Sequence, residues 1–427
     1  MNNTDKLIKR RARSLGPAYE HFYERPLYLT RGENVWVYDN DGKKYLDCYN
    51  NVPSVGHCHP YVVEALTRQA STLNTHTRYL HHTIVEYAEM LADTLPGELS
   101  VCMLVCTGTE ANDLAYRIAC SVSGHDGAIV NSRSYHGNST LVTALSTSMY
   151  PSEERPDFLV TVEPPNIYRG TFGEDHPNPG EAYAGLVDEA IETLSTRAKS
   201  PAMLMIDSIF DDAGTLTPPP VYQQNLYRKV REAGGLVVAD EVQSGLCRLG
   251  DHYWGFMDSG VVPDIVTMGK PMGDGHPLAA LVTTPAIASE FARRHGYFNT
   301  FGGNPVSAAV GKAVLEVIER EKVHANVRET GQHFYSGLNR LAKNHGMIGD
   351  VRGKGLFYGV ELVRDRSSKE PATNEARRAQ EQMRENGVLI STVGEHRNIL
   401  KIRPPLVFDK SHADLALETL DSVLGEI

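Results

Sequence analysis

Short apolar runs near Ala128–Asn131, Ala202–Ile206, Leu236–Ala239 and Ile265–Met268 alternate with longer stretches, Ala182–Arg197 and Val221–Ala233, whose apolar residues recur at helical spacing. Strand and helix in alternation predict an α/β protein on a mainly parallel sheet with helices on both faces. Before this region, Val35–Tyr38 and Lys44–Asp47 flank the turn Asp39-Asn-Asp-Gly42 and read as a hairpin. Ile84–Leu95 has the spacing of an amphipathic helix, and Thr107 and Glu110 stand at capping-box spacing ahead of Ala111, Leu114, Ala115 and Ile118 on one face. The proline-rich stretch from Pro151 to Gly180 reads as a surface excursion. Beyond Pro305 a helical pattern runs through Glu319, and Gly353–Leu362 reads as one strand. The expected division is an N-terminal segment, 1–60, contributing to a small domain, a large ligand-binding domain, 61–304, and a smaller α+β domain, 305–427.

Composition narrows the classes. With 427 residues, 41% hydrophobic and 22% charged, the chain can bury a large core, and no apolar run is long enough to span a membrane. A net charge of −11 argues against a nucleic-acid binder, which neutralises phosphates with lysine and arginine. Lys6, Lys9, Arg10, Arg11 and Arg13 make the N-terminus basic; with Asp5 among them and no serine-rich tract, a short surface helix is expected rather than a presequence. The six cysteines contain no C-x-x-C pair and no disulfide framework, which suits the cytoplasm. His57-Cys58-His59 is followed by no further ligand cluster at a recognisable spacing, so it reads as a packed loop and not a metal site.

Two of the predicted strands run into reactive side chains. Leu236–Ala239 leads to Asp240-Glu-Val-Gln243, and Ile265–Met268 leads to Gly269-Lys270-Pro271, with Gly273 and Gly275 allowing a tight turn. Neighbouring parallel strands would bring Asp240 and Lys270 to one edge, where open α/β sheets bind ligands. At the helix start, Gly108 lets an anion approach the backbone and Thr109 can add a hydroxyl donor, although capping alone accounts for Thr107 and Glu110. An amine, a carboxylate and a phosphate-ready helix terminus are together what pyridoxal 5'-phosphate requires. The lysine forms the Schiff base, the aspartate keeps the pyridine nitrogen protonated, and the helix anchors the phosphate.

The segments containing Gly108-Thr-Glu-Ala111, Tyr135-His-Gly137, Asp240-Glu-Val-Gln243, Gly269-Lys270 and Asn299-Thr-Phe-Gly-Gly-Asn-Pro305 resemble the class III aminotransferases, pyridoxal phosphate enzymes of fold type I. They stand in the family's order and the resemblance covers nearly the whole chain. It implies Gly108 and Thr109 at the phosphate, Tyr135 stacked on the ring, Asp240 at the ring nitrogen, Val242 on the opposite ring face and Gln243 at the ring hydroxyl. Lys270 would be both Schiff-base lysine and proton carrier, and Thr300 would reach the phosphate in the neighbouring subunit, giving a homodimer with shared active sites.

Within the family, Asn50–Pro60, Gly269–Pro277 and Arg397–Pro405 are similar to the ethanolamine-phosphate phospho-lyase branch. That likeness implies elimination of phosphate and ammonia from a phosphorylated amine, O-phosphoethanolamine giving acetaldehyde. The alternative is an ω-aminotransferase passing an amine to pyruvate or another 2-oxo acid. Arg78, Lys401 and Arg403 are the candidate substrate-binding residues. The chain departs from the branch at Asp207, commonly glutamate, at Cys247, usually glycine, and at Asp211-Asp212. A cofactor-binding regulator would need an appended DNA-binding module, for which no segment is spare.

Overall fold

The computed structural model describes residues 3–149 and 155–427. Its centre is a seven-stranded sheet in the order Val101–Val105, Ala279–Thr283, Ile265–Met268, Leu236–Asp240, Pro201–Asp207, Gly127–Asn131, Leu159–Val162. All neighbouring pairs are parallel except the two made by Ala279–Thr283. The parallel strands are buried along nearly their whole length, which is why they read as uninterrupted apolar runs. Helices Gly108–Ser123, Pro179–Thr196 and Tyr222–Glu232 pack on this sheet, the last two also on each other.

Local chemistry sets the helix ends. Thr107 caps Gly108–Ser123 by accepting the Glu110 N–H, and Gly124, at φ 74°, ends it in the left-handed conformation that glycine adopts without strain. The Glu110 carboxylate reaches past the cap to accept the N–H of Cys106 at 2.9 Å. Asn304 caps Pro305–Arg320, with proline in its first turn where no donor is needed.

Two four-stranded sheets flank the core. One holds Leu29–Glu33, Trp36–Asp39 and Lys44–Asp47, with Val388–Leu389 added in parallel from the C-terminal region. The expected hairpin is there, with Trp36 opposite Leu46. The other sheet holds Ile348–Lys354, Phe357–Leu362, Ile399–Ile402 and Ser391–Val393.

Several expectations are corrected. Gly353–Leu362 is not one strand: the chain reverses at Gly355-Leu356, so that Lys354 faces Phe357 across an antiparallel pair, and Gly353 and Gly355, at φ 128° and 59°, permit the reversal. Pro151–Gly180 is not wholly a surface excursion. Leu159–Val162 within it is the edge strand of the central sheet, too short a run to stand out among the prolines, while 151–154 lie outside the described residues. Val101–Val105 and Ala279–Thr283 were not anticipated, and the helix expected at Ile84–Leu95 spans His82–Ala92. At the N-terminus, Asn3–Leu15 is the expected surface helix.

Candidate active site

The register of the sheet assembles the site. Asp207 pairs with Asp240, and Asp240 with Thr267, so three polar side chains stand side by side at the carboxyl ends of adjacent parallel strands. Three residues beyond Thr267, Lys270 opens the short 3-10 turn Lys270–Gly273. Gly269 before it packs on the helix start: a Cβ there would lie 3.3 Å from the Gly108 nitrogen. Asp274 closes the turn in the left-handed conformation and accepts the Val55 N–H at 3.0 Å, while Ser54 Oγ donates to the Pro271 carbonyl at 2.6 Å. Thus the loop from Asn50 to Pro60 braces the turn that carries the lysine.

A cleft of about 330 Å³ lies over this edge, lined by Gly108, Thr109, Tyr135, His136, Asp207, Asp240, Val242, Gln243 and Lys270 among others. All the expected cofactor-binding residues except Thr300 therefore meet in one place. Tyr135 is 44% exposed and Val242 is buried. Thr300 is exposed and does not line the cleft, although Asn299 Nδ2 donates to Glu110 Oε2 at 3.0 Å and ties that loop to the helix start. Two glycines hold the cradle open. A Cβ at Gly108 would come 2.8 Å from Val242, and one at Gly137 would come 2.4 Å from the Thr109 hydroxyl.

Asp240 is held from several sides. His136 Nδ1 donates to Oδ2 at 2.7 Å, Asn112 Nδ2 donates to the same oxygen at 2.9 Å, and the Val242 N–H donates to Oδ1 at 3.0 Å. Neither Asn112 nor His136 was singled out from the sequence. His136 stands in the Tyr-His-Gly segment and Asn112 one turn after Gly108, the only signals available.

The tentative substrate residues separate. Arg78 is exposed, its guanidinium 3.9 Å from the Phe298 ring centroid, and the cleft does not include it. Lys401 is buried and donates to Asp211 Oδ2 at 2.7 Å. Arg403 is buried behind Gln243: its Nη1 donates to the Gln243 side-chain oxygen Oε1 and its Nε to the Tyr49 backbone carbonyl, and Nη2 has no hydrogen-bond partner among the described residues. Asn51 Nδ2 donates to the same Gln243 oxygen at 2.8 Å.

The charges shift one another. Burial, and then the Arg403 charge, pushes the Lys270 ammonium below the usual lysine range, against the pull of Asp240, Asp211 and Asp207. Burial, helped by the Asp211 charge, raises the Asp207 carboxyl to about 8. Burial would raise Asp211 too, but Lys401 and Arg403 together hold it below the usual carboxylate range. Burial and Asp211 thus push Asp207 toward its neutral form, against the Ile209 and Asp211 N–H groups that its two oxygens accept, whereas Asp211 is held ionised.

These residues fit pyridoxal phosphate: an amine of lowered pKa for the aldehyde, a fixed carboxylate for the ring nitrogen, side chains for both ring faces, and a glycine-opened helix terminus with a hydroxyl for the phosphate. Fold and cleft define a pyridoxal phosphate enzyme of fold type I. The class-III aminotransferase family profile matches residues 18–424, and the chain belongs to that family. A phospholyase from Arthrobacter, solved in complex with phosphoethanolamine, superposes with a TM-score of 0.95 at 42% identity, covering 99% of this chain and 100% of that one. An alanine–glyoxylate aminotransferase 2-like protein of Drosophila melanogaster is 40% identical over 98% of this chain and 87% of its own length. Ethanolamine-phosphate phospho-lyase homolog 1 of Caenorhabditis elegans is 36% identical over 99% and 94%.

Proposed function

We propose that the protein eliminates phosphate and ammonia from a phosphorylated amine, converting O-phosphoethanolamine and one water to acetaldehyde, ammonia and inorganic phosphate. The observation that carries this reading is an excess of buried positive charge behind the cleft. Lys401 and Arg403 are both buried and share one carboxylate, Asp211, which they hold ionised, while burial pushes Asp207 toward its neutral form and Lys401 down to about 8. Buried charge without a counter-ion is costly, so an anionic group arriving at this place is stabilised. The phosphoethanolamine bound to the Arthrobacter phospholyase is a ligand of that kind and supports the reading.

When bound, pyridoxal phosphate supplies a ring that accepts the electrons released as a bond to the substrate carbon breaks. Lys270, with its lowered pKa, is suited to take the proton from the amine-bearing carbon and to deliver one to its neighbour after phosphate leaves. On this reading Arg403, which lies behind the Gln243 that lines the cleft and whose Nη2 makes no hydrogen bond among the described residues, receives phosphate oxygens and fixes the leaving group while the proton moves. We also propose that a second copy of the chain supplies Thr300 to this site.

The second reading, an aminotransferase using a 2-oxo acid, is favoured by the Drosophila relative. Arg403→Met tests the grip on the leaving group: kcat/KM for O-phosphoethanolamine falls roughly 10²-fold. No loss contradicts a phosphate-holding Arg403, and the products formed with and without pyruvate separate the lyase from the aminotransferase.

A further inference from the structure

Asn112 is fully buried in the helix Gly108–Ser123 and uses every polar atom of its side chain. Its amide nitrogen donates to Asp240 Oδ2 at 2.9 Å and to the His136 carbonyl at 2.7 Å, and its oxygen accepts the Thr267 hydroxyl at 2.6 Å. Exchanging oxygen and nitrogen would set an acceptor against two acceptors, so this network permits one orientation only. Thr267 is itself fully buried and stands beside Asp240 in the strand register.

A carboxylate offers about four lone-pair sites. At Asp240, Oδ2 takes two donors, His136 and Asn112, and Oδ1 takes one, the Val242 N–H. The remaining acceptor site belongs to Oδ1, on a residue that lines the cleft. His136 alone would fix the carboxylate less firmly, because its Nε2 has no partner among the described residues. Asn112 holds both the carboxylate and the His136 backbone, and Thr267 holds Asn112.

We infer that Asn112, backed by Thr267, is a positioning residue that saturates Asp240 Oδ2 and so leaves Oδ1 as the acceptor for the cofactor ring nitrogen. The inference rests on Asp240 facing that nitrogen and is independent of whether the substrate carries a phosphate. Losing the amide donor leaves the carboxylate free to turn and to take the proton itself, so the ring is less often protonated.

The test is nitrogen NMR of protein reconstituted with pyridoxal phosphate labelled at the ring nitrogen, at one neutral pH. Wild type should show the protonated-ring resonance. Asn112→Ala should move it toward the unprotonated position, and Thr267→Val, close in shape and lacking only the hydroxyl donor, should move it less in the same direction. Turnover per bound cofactor should fall roughly tenfold or more in Asn112→Ala, since a hydrogen bond to a charged group is at stake. Urea midpoints of the apoproteins, measured alongside, register any purely structural loss, and Thr267→Val keeps the test open should Asn112→Ala not fold. A protonated wild-type ring whose resonance is unchanged in both variants overturns the inference alone. An unprotonated wild-type ring overturns the reading of Asp240, and the inference with it.

Discussion

Asp211 and Lys401 show how much of this site is decided by single buried charges. Their side chains are 6% and 9% exposed and meet at 2.7 Å. Removing one partner strands the other, so Asp211→Asn or Lys401→Met should each lower unfolding free energy by roughly 3–5 kcal/mol, and the double variant by far less than their sum. A urea double-mutant cycle measures this, and additive losses would contradict the pairing. Lys401 is legible in the sequence only as a cation within the phospho-lyase-like segment Arg397–Pro405, a candidate for the substrate. Its partner lies 190 positions earlier, a separation at which sequence patterns carry no signal. The same limit applies to Asn112, His136 and Asn51, whose partners stand on other strands or loops. Lys270, Asp240, Gly108 and Thr109 were legible because each sits where a predicted strand or helix begins or ends, and the sheet register did the rest.

Among the elements, the turn Lys270–Gly273 and its closing residue Asp274 make a prediction about pH. Burial raises the Asp274 carboxyl to about 7, against the opposing effects of the Val55 N–H and His57. Its folded value lies above its unfolded one. The stability it contributes is therefore complete below about pH 4 and is lost as pH rises through about 7. Asparagine keeps an oxygen for the Val55 N–H, accepts the left-handed backbone of this position, φ 46°, and has no proton to lose. Urea midpoints of wild type should fall below those of Asp274→Asn between about pH 5 and pH 8; curves that run parallel would exclude this role. At this scale the parallel strands were readable because burial on both faces leaves an unbroken apolar run. Ala279–Thr283 is fully buried yet hard to read from sequence, because it pairs antiparallel with Ile265–Met268 across the Lys270 loop, with no helical stretch between them to set it off as a strand. The reversal at Gly355 was missed because alternation along a strand looks the same on either arm of a hairpin.

For the whole molecule, the face around Thr300 is the least self-sufficient part. Tyr79, Leu80 and Phe301 are 65%, 101% and 70% exposed, and Tyr79 and Phe298 both contact the His76 ring. A cluster of this kind marks an interaction surface, and the proposed second copy would cover it while delivering Thr300. Mixing Lys270→Ala with Thr300→Ala chains should restore part of the activity each lacks, because one mixed site regains both groups; no recovery, or a fully active monomer by sedimentation, would remove the second copy from the account. The central claim concerns the products. Purified protein loaded with pyridoxal phosphate and given O-phosphoethanolamine, with and without pyruvate, should release phosphate, ammonia and acetaldehyde in equal amounts, with pyruvate making no difference. Alanine formed from pyruvate at catalytic rates, with phosphate release at background, would contradict it.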